Sequence, residues 1–150
     1  LWPIMDLEQT EDHVGDPTLE SKILSSVTGK DVNEEELYRI GERVFNLQRA
    51  ILVREGHQGR GDDILPDSWH TMPLRGDLAN PGCLVPGKGE EVLSRKGSVV
   101  DRGEFERTKD EYYRLRQWDI ATGLQTRAKL EELELKDVAR DLEKRGLIRV

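Results

Sequence analysis

The strongest constraint on the fold is a helical periodicity that runs through about twenty residues in the first third of the chain. Asp31 or Asn33 is expected to cap the start of a helix, and Asn33 and Glu36 stand at the spacing of a capping box. Apolar or small residues then recur three or four positions apart, as on one helix face: Leu37, Ile40, Gly41, Val44, Leu47 and Ile51. The pattern predicts a long helix that extends to about Val53 and turns this stripe towards a core.

Gly41 lies inside the predicted stripe, where a glycine lowers the stability of the helix. A glycine in a helix interior destabilises it by ~1 kcal/mol relative to alanine. We therefore expect another helix to approach closely at Gly41, because the missing side chain would then be an advantage.

Helical spacing recurs on both sides of this segment. Asp16 and Pro17 predict an N-cap and a first helical residue, followed by a helix that Gly29 ends. The last third predicts three more helices: one from about Phe105 to Gly123, a short one capped by Thr126, and one from Leu135 that Gly146 stops.

The middle of the chain has the composition of irregular structure. Residues 56–103 hold 9 of the 14 glycines and 4 of the 6 prolines. We expect an ordered turn at Asp62–Pro66 and a long loop from Pro73 to Gly97. The whole sequence predicts a single mainly-α domain or fragment with about four or five helices. Its parts are an acidic lead-in (1–16), a helical pair (17–56), a Gly/Pro-rich loop region (57–103) and a helical segment (104–150).

Composition excludes several classes of protein. The net charge of -7 argues against a nucleic-acid partner, and no apolar run reaches the length of a membrane span. One cysteine excludes an internal disulfide and a four-cysteine metal site within this chain. A reducing cytoplasm is the expected location. The apolar start Leu1–Met5 suggests that the chain was cut from something longer.

The isolated motifs favour ordinary structural roles. Residues 82–89 match the glycines and lysine of a phosphate-binding loop but have Gly89 where that loop needs Ser or Thr, so a flexible loop is expected. His13, His57 and His70 lack metal-ligand spacing and are expected at the surface or in loops. Cys83 has no neighbouring base and is expected to be unreactive.

Two groups near the predicted helix ends also have structural interpretations. Asp62 and Asp63 could bind a hard cation, but a helix cap or a salt bridge to Arg54 or Arg60 is the favoured interpretation. Arg54 and Glu55 are expected to order the turn that contains these carboxylates. Three aromatic residues are expected to belong to a core or an interface: Tyr112, Tyr113 and Trp118.

An ordered set of strings resembles one enzyme family. The strings are Val27–Gly29, Ile40–Arg49, Val53–Gly56, Asp62–Pro66, Glu111–Asp119 with Gly123, and Lys129–Leu135. In this order they resemble the C-terminal helical region of the tungsten-dependent aldehyde:ferredoxin oxidoreductases. The resemblance covers about residues 19–66 and 104–136.

The resemblance implies a redox enzyme whose metal centres lie elsewhere. Members of the family hold a tungsten (or molybdenum) bis-pterin and one [4Fe-4S] cluster, and they oxidise aldehydes to carboxylic acids with ferredoxin as acceptor. The cluster ligands are a C-x₂-C-x₃-C group and a later cysteine, all expected upstream of this chain. No catalytic residue and no metal ligand is therefore carried over, and the chain alone is expected to be inactive.

The same resemblance implies the role of the chain and its partners. It would supply scaffold and one wall of the cofactor cavity, with five motif positions expected near that cavity: Arg43, Arg54, Glu55, Asp62 and Asp63. The implied partners are the N-terminal and middle domains of the same enzyme, and ferredoxin or another electron-transfer subunit. No nucleic acid and no membrane is expected as a partner.

Three departures leave the substrate open. Gln117 stands where the family usually has glycine before Trp-Asp, Leu124-Gln125 stands where Val-Pro is common, and residues 67–103 look longer than in aldehyde-oxidising members. Leu1–Met5 is similar to the aromatic acyl-CoA reductase branch of the family, which is the first alternative. The second is a stand-alone acidic helical module that binds another protein.

Overall fold

The computed structural model describes Asp16 and residues 18–149, which fall into two compact units. The first unit comprises the described residues up to Glu55 together with Arg127–Ile148, and the second comprises Gly56–Thr126 with Arg149. The expectations for Leu1–Met5, for His13 and for the rest of the acidic lead-in before Asp16 lie outside the described residues.

The described residues confirm a mainly-α fold, with about 51% helix. In chain order the elements are α1 (Leu19–Thr28), α2 (Glu34–Arg54), a 3-10 turn (Gly59–Gly61), α3 (Asp67–Thr71), β1 (Leu84–Pro86), β2 (Val92–Ser94), α4 (Arg102–Leu115), α5 (Arg127–Glu132) and α6 (Lys136–Lys144). No helix in this part of the chain has the length and apolarity needed to cross a membrane.

Local signals set most helix ends of the first unit. The capping box of α2 is present as predicted. The Asn33 side chain accepts a hydrogen bond from the backbone amide of Glu36, and the Glu36 side chain accepts one from the backbone amide of Asn33. Gly29 ends α1 in the left-handed conformation, with φ of 68°. Helix α1 begins after Thr18, two residues later than predicted, but Thr18 makes no side-chain cap hydrogen bond. Asp16 instead accepts hydrogen bonds from the backbone amide and the hydroxyl of Thr18.

The core of the first unit forms where α2, α5 and α6 meet. Its buried residues are Ala50, Leu130, Ala139, Leu142 and Ile148, with Leu135, Val138 and Leu147 packed against them. The start of α5 directly after Thr126 and the left-handed Gly146 that follows α6 agree with the sequence.

The predicted stripe of α2 does not face this core. Ile40, Val44, Leu47 and Ile51 are between 41% and 52% exposed. The buried face of α2 is another stripe at helical spacing, formed by Asn46, Arg49, Ala50 and Val53. Two of these four residues are polar, so a search for apolar periodicity selects the wrong face.

Gly41 is likewise open. A Cβ atom added there would meet nothing within 4 Å among the described residues, so the close helix expected at this position is not found. The prediction that Gly41 allows tight packing is therefore wrong for this part of the chain.

The open face at Gly41 gives a test by substitution. Gly41→Ala and Gly41→Leu should each raise the free energy of unfolding by up to ~1 kcal/mol, because both replace glycine by a better helix former. Urea denaturation measures the change.

Gly59→Ala is the control, and it should destabilise the chain. A Cβ at Gly59 would lie 2.1 Å from the carbonyl oxygen of Thr122. If Gly41→Leu lowered the free energy of unfolding by ~1–3 kcal/mol, the result would contradict the open face, because overpacking destabilises a protein by that amount.

The second unit contains more regular structure than its composition suggests. Within the predicted loop Pro73–Gly97, β1 and β2 pair antiparallel with Val85 opposite Leu93. The Asn80 side chain both accepts from the amide of Leu84 and donates to its carbonyl, which holds the first strand. Residues 82–89 are thus part of a hairpin rather than a flexible loop. The short helix α3 was not predicted either.

Helix α4 ends at Leu115, eight residues before the predicted end at Gly123. The amide of Trp118 donates to the carbonyl of Tyr113, and the amide of Gln117 donates to that of Arg114. These two bonds form a Schellman motif, which requires a left-handed residue after the helix. Gln117 is that residue, with φ of 54°. This is also the position at which the resembled family usually has glycine.

Replacing Gln117 should relieve this backbone strain. We expect Gln117→Gly to raise the free energy of unfolding by ~0.5–1 kcal/mol, since glycine adopts positive φ without a Cβ clash. Thermal and urea unfolding measure this change in the free energy of unfolding.

Gln117→Ala is the matched control, because alanine removes the same polar group but keeps the Cβ atom. Gln117→Ala should not raise the free energy of unfolding. Equal stabilisation by alanine and glycine would show that the backbone conformation is not the cause.

Aromatic packing completes the second unit. Tyr113 and Trp118 are 1% and 5% exposed and stack with ring centroids 6.2 Å apart, which confirms both as core residues. Tyr112 contacts Trp118 edge-on but is 36% exposed, so it lies at the border of this core.

Candidate functional site

The richest polar cluster of the second unit lies around the turn of residues 57–63. Gly59 adopts φ of 64°, and the amide of Arg60 donates to the carbonyl of Thr122 across 2.7 Å. A Cβ at Gly123 would lie 2.8 Å from the Arg60 nitrogen. The turn and the segment before Gly123 therefore meet backbone to backbone, which only glycine allows at these two positions.

The two carboxylates of this turn hold it in shape. Asp62 accepts from the amide of Gln58 at 2.7 Å, and Asp63 accepts from the Tyr113 hydroxyl at 2.6 Å. The predicted turn at Asp62–Pro66 is therefore displaced: the chain turns at residues 57–62, and residues 64–66 form no turn of their own. Both carboxylates serve the protein's own backbone and core. The described residues contain no group of three or more His, Cys, Asp or Glu side chains that could hold a metal ion.

His57 is oriented by the same turn. Its Nδ1 accepts a hydrogen bond from the Gly59 amide at 3.1 Å, so the ring proton lies on Nε2 in the neutral form. Nε2 is 3.5 Å from Oδ1 of Asp63. The Gly59 amide and the Asp63 carboxylate therefore hold the ring from opposite sides.

Arg60 connects the turn to helix α4. Its guanidinium lies 2.5 Å from Oδ1 of Asp110 and 2.6 Å from Oε2 of Glu106, and it stands over the Tyr113 ring. The predicted salt bridge between Arg60 and the carboxylates of the turn is therefore wrong. The hydrogen bond that Arg60 donates to Asp110 raises the pKa of Arg60. Hydrogen bonds donated by Lys109 and, to a lesser extent, by Arg60 lower the pKa of Glu106.

The Tyr113 hydroxyl gives the sharpest test of this cluster. Tyr113→Phe removes a donor to Asp63 in a buried position, and such a loss costs about 1–2 kcal/mol. We expect that decrease in the free energy of unfolding by urea denaturation.

Tyr112→Phe is the matched control on the next position of the same helix. Its ring is partly exposed and its hydroxyl makes no hydrogen bond with a described residue, so the change should stay within about 0.5 kcal/mol. Equal effects of the two substitutions would rule out a special role for the bond between Tyr113 and Asp63.

The remaining predicted site residues lie in the first unit. Arg43 Nη1 is 3.5 Å from Oε2 of Glu134, and Arg54 Nε is 3.7 Å from Oδ2 of Asp141 in α6. Arg54 thus pairs with α6 and does not order the turn as predicted. Glu55 is exposed at the C-terminus of α2, and its amide donates to the carbonyl of Ile51.

Sequence reasoning missed a buried lysine in the first unit. Lys129 is 3% exposed, and its ammonium lies 3.0 Å from a carboxylate oxygen of Glu132 and 3.1 Å from one of Glu42. Burial lowers the pKa of Lys129, but the hydrogen bonds to Glu132 and Glu42 outweigh it and the net pKa is raised. The i,i+3 spacing to Glu132 is visible in the sequence, whereas the distant partner Glu42 is not.

The residues present do not fit the redox centres of the resembled family. A [4Fe-4S] cluster is held by cysteine thiolates, usually four, and this chain has only Cys83, which is buried where the hairpin begins. His70 is engaged structurally, with Nδ1 2.7 Å from the carbonyl of Val100 and its ring edge-on to Phe105. No redox chemistry is therefore derived from this chain.

The family can be stated on two comparisons with known proteins. A sequence model described as "Aldehyde ferredoxin oxidoreductase, domains 2 & 3" matches residues 3–135. The chain belongs to the aldehyde ferredoxin oxidoreductase family. The tungsten-containing aldehyde ferredoxin oxidoreductase of Pyrococcus furiosus is 30% identical over 115 residues, which covers 77% of this chain and 16% of that protein. The chain thus spans about one sixth of the length of this relative.

Proposed function

We propose that this chain is one segment of a tungsten-containing oxidoreductase that oxidises aldehydes to carboxylic acids, with ferredoxin as the electron acceptor. The observation that carries the proposal is the family match over residues 3–135, whose description names domains 2 and 3. The name of the Pyrococcus furiosus relative supports tungsten, and its length leaves ample sequence for other domains.

Within that enzyme the chain supplies scaffold and one wall of the cofactor cavity. The [4Fe-4S] cluster is proposed to belong to the rest of the enzyme because this chain offers a single cysteine, and the tungsten bis-pterin is proposed to lie there with it. Five residues are proposed to lie towards that cavity: Arg43, Arg54, Glu55, Asp62 and Asp63. The hydrogen bonds of Asp62 and Asp63 support a role in holding the wall rather than in chemistry.

The exposed stripe of α2 is the surface proposed to meet the other domains. Ile40, Val44, Leu47 and Ile51 form a contiguous apolar row, and such patches mark contacts with other protein. Gly41 lies in this row with open space beside it, which would allow another helix to pack closely. An intramolecular partner is favoured because the family's proteins contain further domains.

The experiment is to express the complete coding region around this chain anaerobically with tungstate. The purified protein should contain tungsten and iron and should reduce ferredoxin with aldehydes as donors. Activity with aromatic acyl-CoA esters in place of aldehydes would overturn the substrate proposal in favour of the reductase branch. A coding region without a C-x₂-C-x₃-C group would overturn the proposal as a whole.

The 150-residue chain purified alone under the same conditions should contain neither iron nor tungsten in stoichiometric amount. The physical reason is the lack of clustered ligands, and elemental analysis by mass spectrometry measures it. Cys83→Ser is the control and should leave both metal contents unchanged. Stoichiometric iron that disappears in Cys83→Ser would contradict the proposed division of roles.

A further inference from the structure

The second unit contains a cavity of about 600 Å³ that the proposed function does not use. It lies between α3 with the residues that follow it and the segment before α4. Three backbone hydrogen bonds tie these walls together: Val100 to Trp69, Leu74 to Ser98, and Gly97 to Leu74, at 2.8–3.0 Å. The cavity is therefore a built feature of the fold.

The walls of this cavity are mainly apolar. Trp69, Met72, Leu74 and Val99 line it, and each of them is between 46% and 60% exposed. Small-molecule sites have volumes of about 300–1,000 Å³ and apolar walls with a few convergent polar groups. The volume and lining of this cavity match that description.

Two arginines, Arg75 and Arg95, also line the cavity. Other arginines of this unit, such as Arg60 and Arg102, are neutralised by carboxylates. The guanidinium groups of Arg75 and Arg95 form no ion pair or hydrogen bond with any described residue. In a chain with a net charge of -7, these two exposed guanidinium groups have no counter-ion among the described residues.

We infer that this cavity binds a small apolar carboxylate. Its carboxylate lies against Arg75 and Arg95, because the planar guanidinium fork matches a carboxylate in geometry and charge. Its hydrocarbon body lies along Trp69, Met72 and Leu74. The inference rests on the cavity alone, so it stands or falls independently of the proposed oxidoreductase function.

The test titrates the 150-residue chain with hexanoate, octanoate and decanoate and follows tryptophan fluorescence. Trp69 is the reporter because it lines the cavity, whereas Trp118 is buried. We expect affinity to rise about two- to fourfold per added methylene, as for apolar surface entering a partly open groove. Trp69→Phe should remove most of the signal. 1-Octanol should bind about fivefold more weakly than octanoate, since it lacks the charge.

Variants then separate the charge from the apolar contact. Arg75→Gln and Arg95→Gln should each weaken octanoate about fivefold and leave 1-octanol unchanged. The control is Arg114→Gln, because Arg114 is exposed on α4, has no ion pair with a described residue and does not line the cavity. It should bind octanoate as the unmodified chain does.

Amide chemical shifts in two-dimensional NMR spectra check both folding and location. Octanoate should shift the amides of residues 68–75 and 95–100 and leave most others in place, with each variant retaining the spectrum of a folded chain. Three results would each overturn the inference: octanoate binding no tighter than 1-octanol, arginine variants indistinguishable from Arg114→Gln, or shifts that map to another surface.

Discussion

The second unit depends on the direct backbone contact that Gly59 and Gly123 permit. With no side chain between the two segments, the amide of Arg60 reaches the carbonyl of Thr122. That contact places the Arg60 guanidinium beside α4 and the Asp63 carboxylate beside Tyr113. The ion pairs and hydrogen bonds of the cluster follow from the backbone contact, because each of them needs the turn in this position.

In the first unit the corresponding constraint is which face of α2 is buried. That face contains Asn46 and Arg49 beside Ala50 and Val53, so burial here requires hydrogen bonds as well as apolar contact. The side-chain amide of Asn46 donates a hydrogen bond to the backbone carbonyl of Glu42, which satisfies part of this buried polar group. The apolar stripe stays uncovered within the described residues. A helix with two usable faces is well suited to a protein in which several domains share contacts.

Features that depend on neighbours in sequence could be predicted, and features that depend on distant partners could not. The capping box of Asn33 and Glu36 and the stop at Gly29 arise from local spacing. The buried face of α2 depends on α5 and α6, which lie some 80 residues away. The early end of α4 depends on Gln117 in a conformation that sequence rules reserve for glycine.

The candidate site divides in the same way. Asp62 and Asp63 are adjacent carboxylates, but only Asp62 has its partner nearby in sequence, at Gln58. Asp63 bonds to Tyr113, fifty residues away, and Arg60 bonds to Asp110 at the same separation. The family resemblance implies only that Asp62 and Asp63 lie near a cavity, and their hydrogen bonds supply a physical role.

The same kind of role accounts for further residues within the strings that carry the resemblance. Asp119, within one of the strings that carry the resemblance, accepts from the amide and hydroxyl of Thr122, and its carbonyl accepts from the Gly123 amide. Gly123 in turn gives Arg60 its backbone contact. These residues meet demands of backbone geometry, which few other residue types satisfy. A recognisable sequence pattern can therefore arise from the demands of backbone geometry, as it does around Gly59 and Gly123.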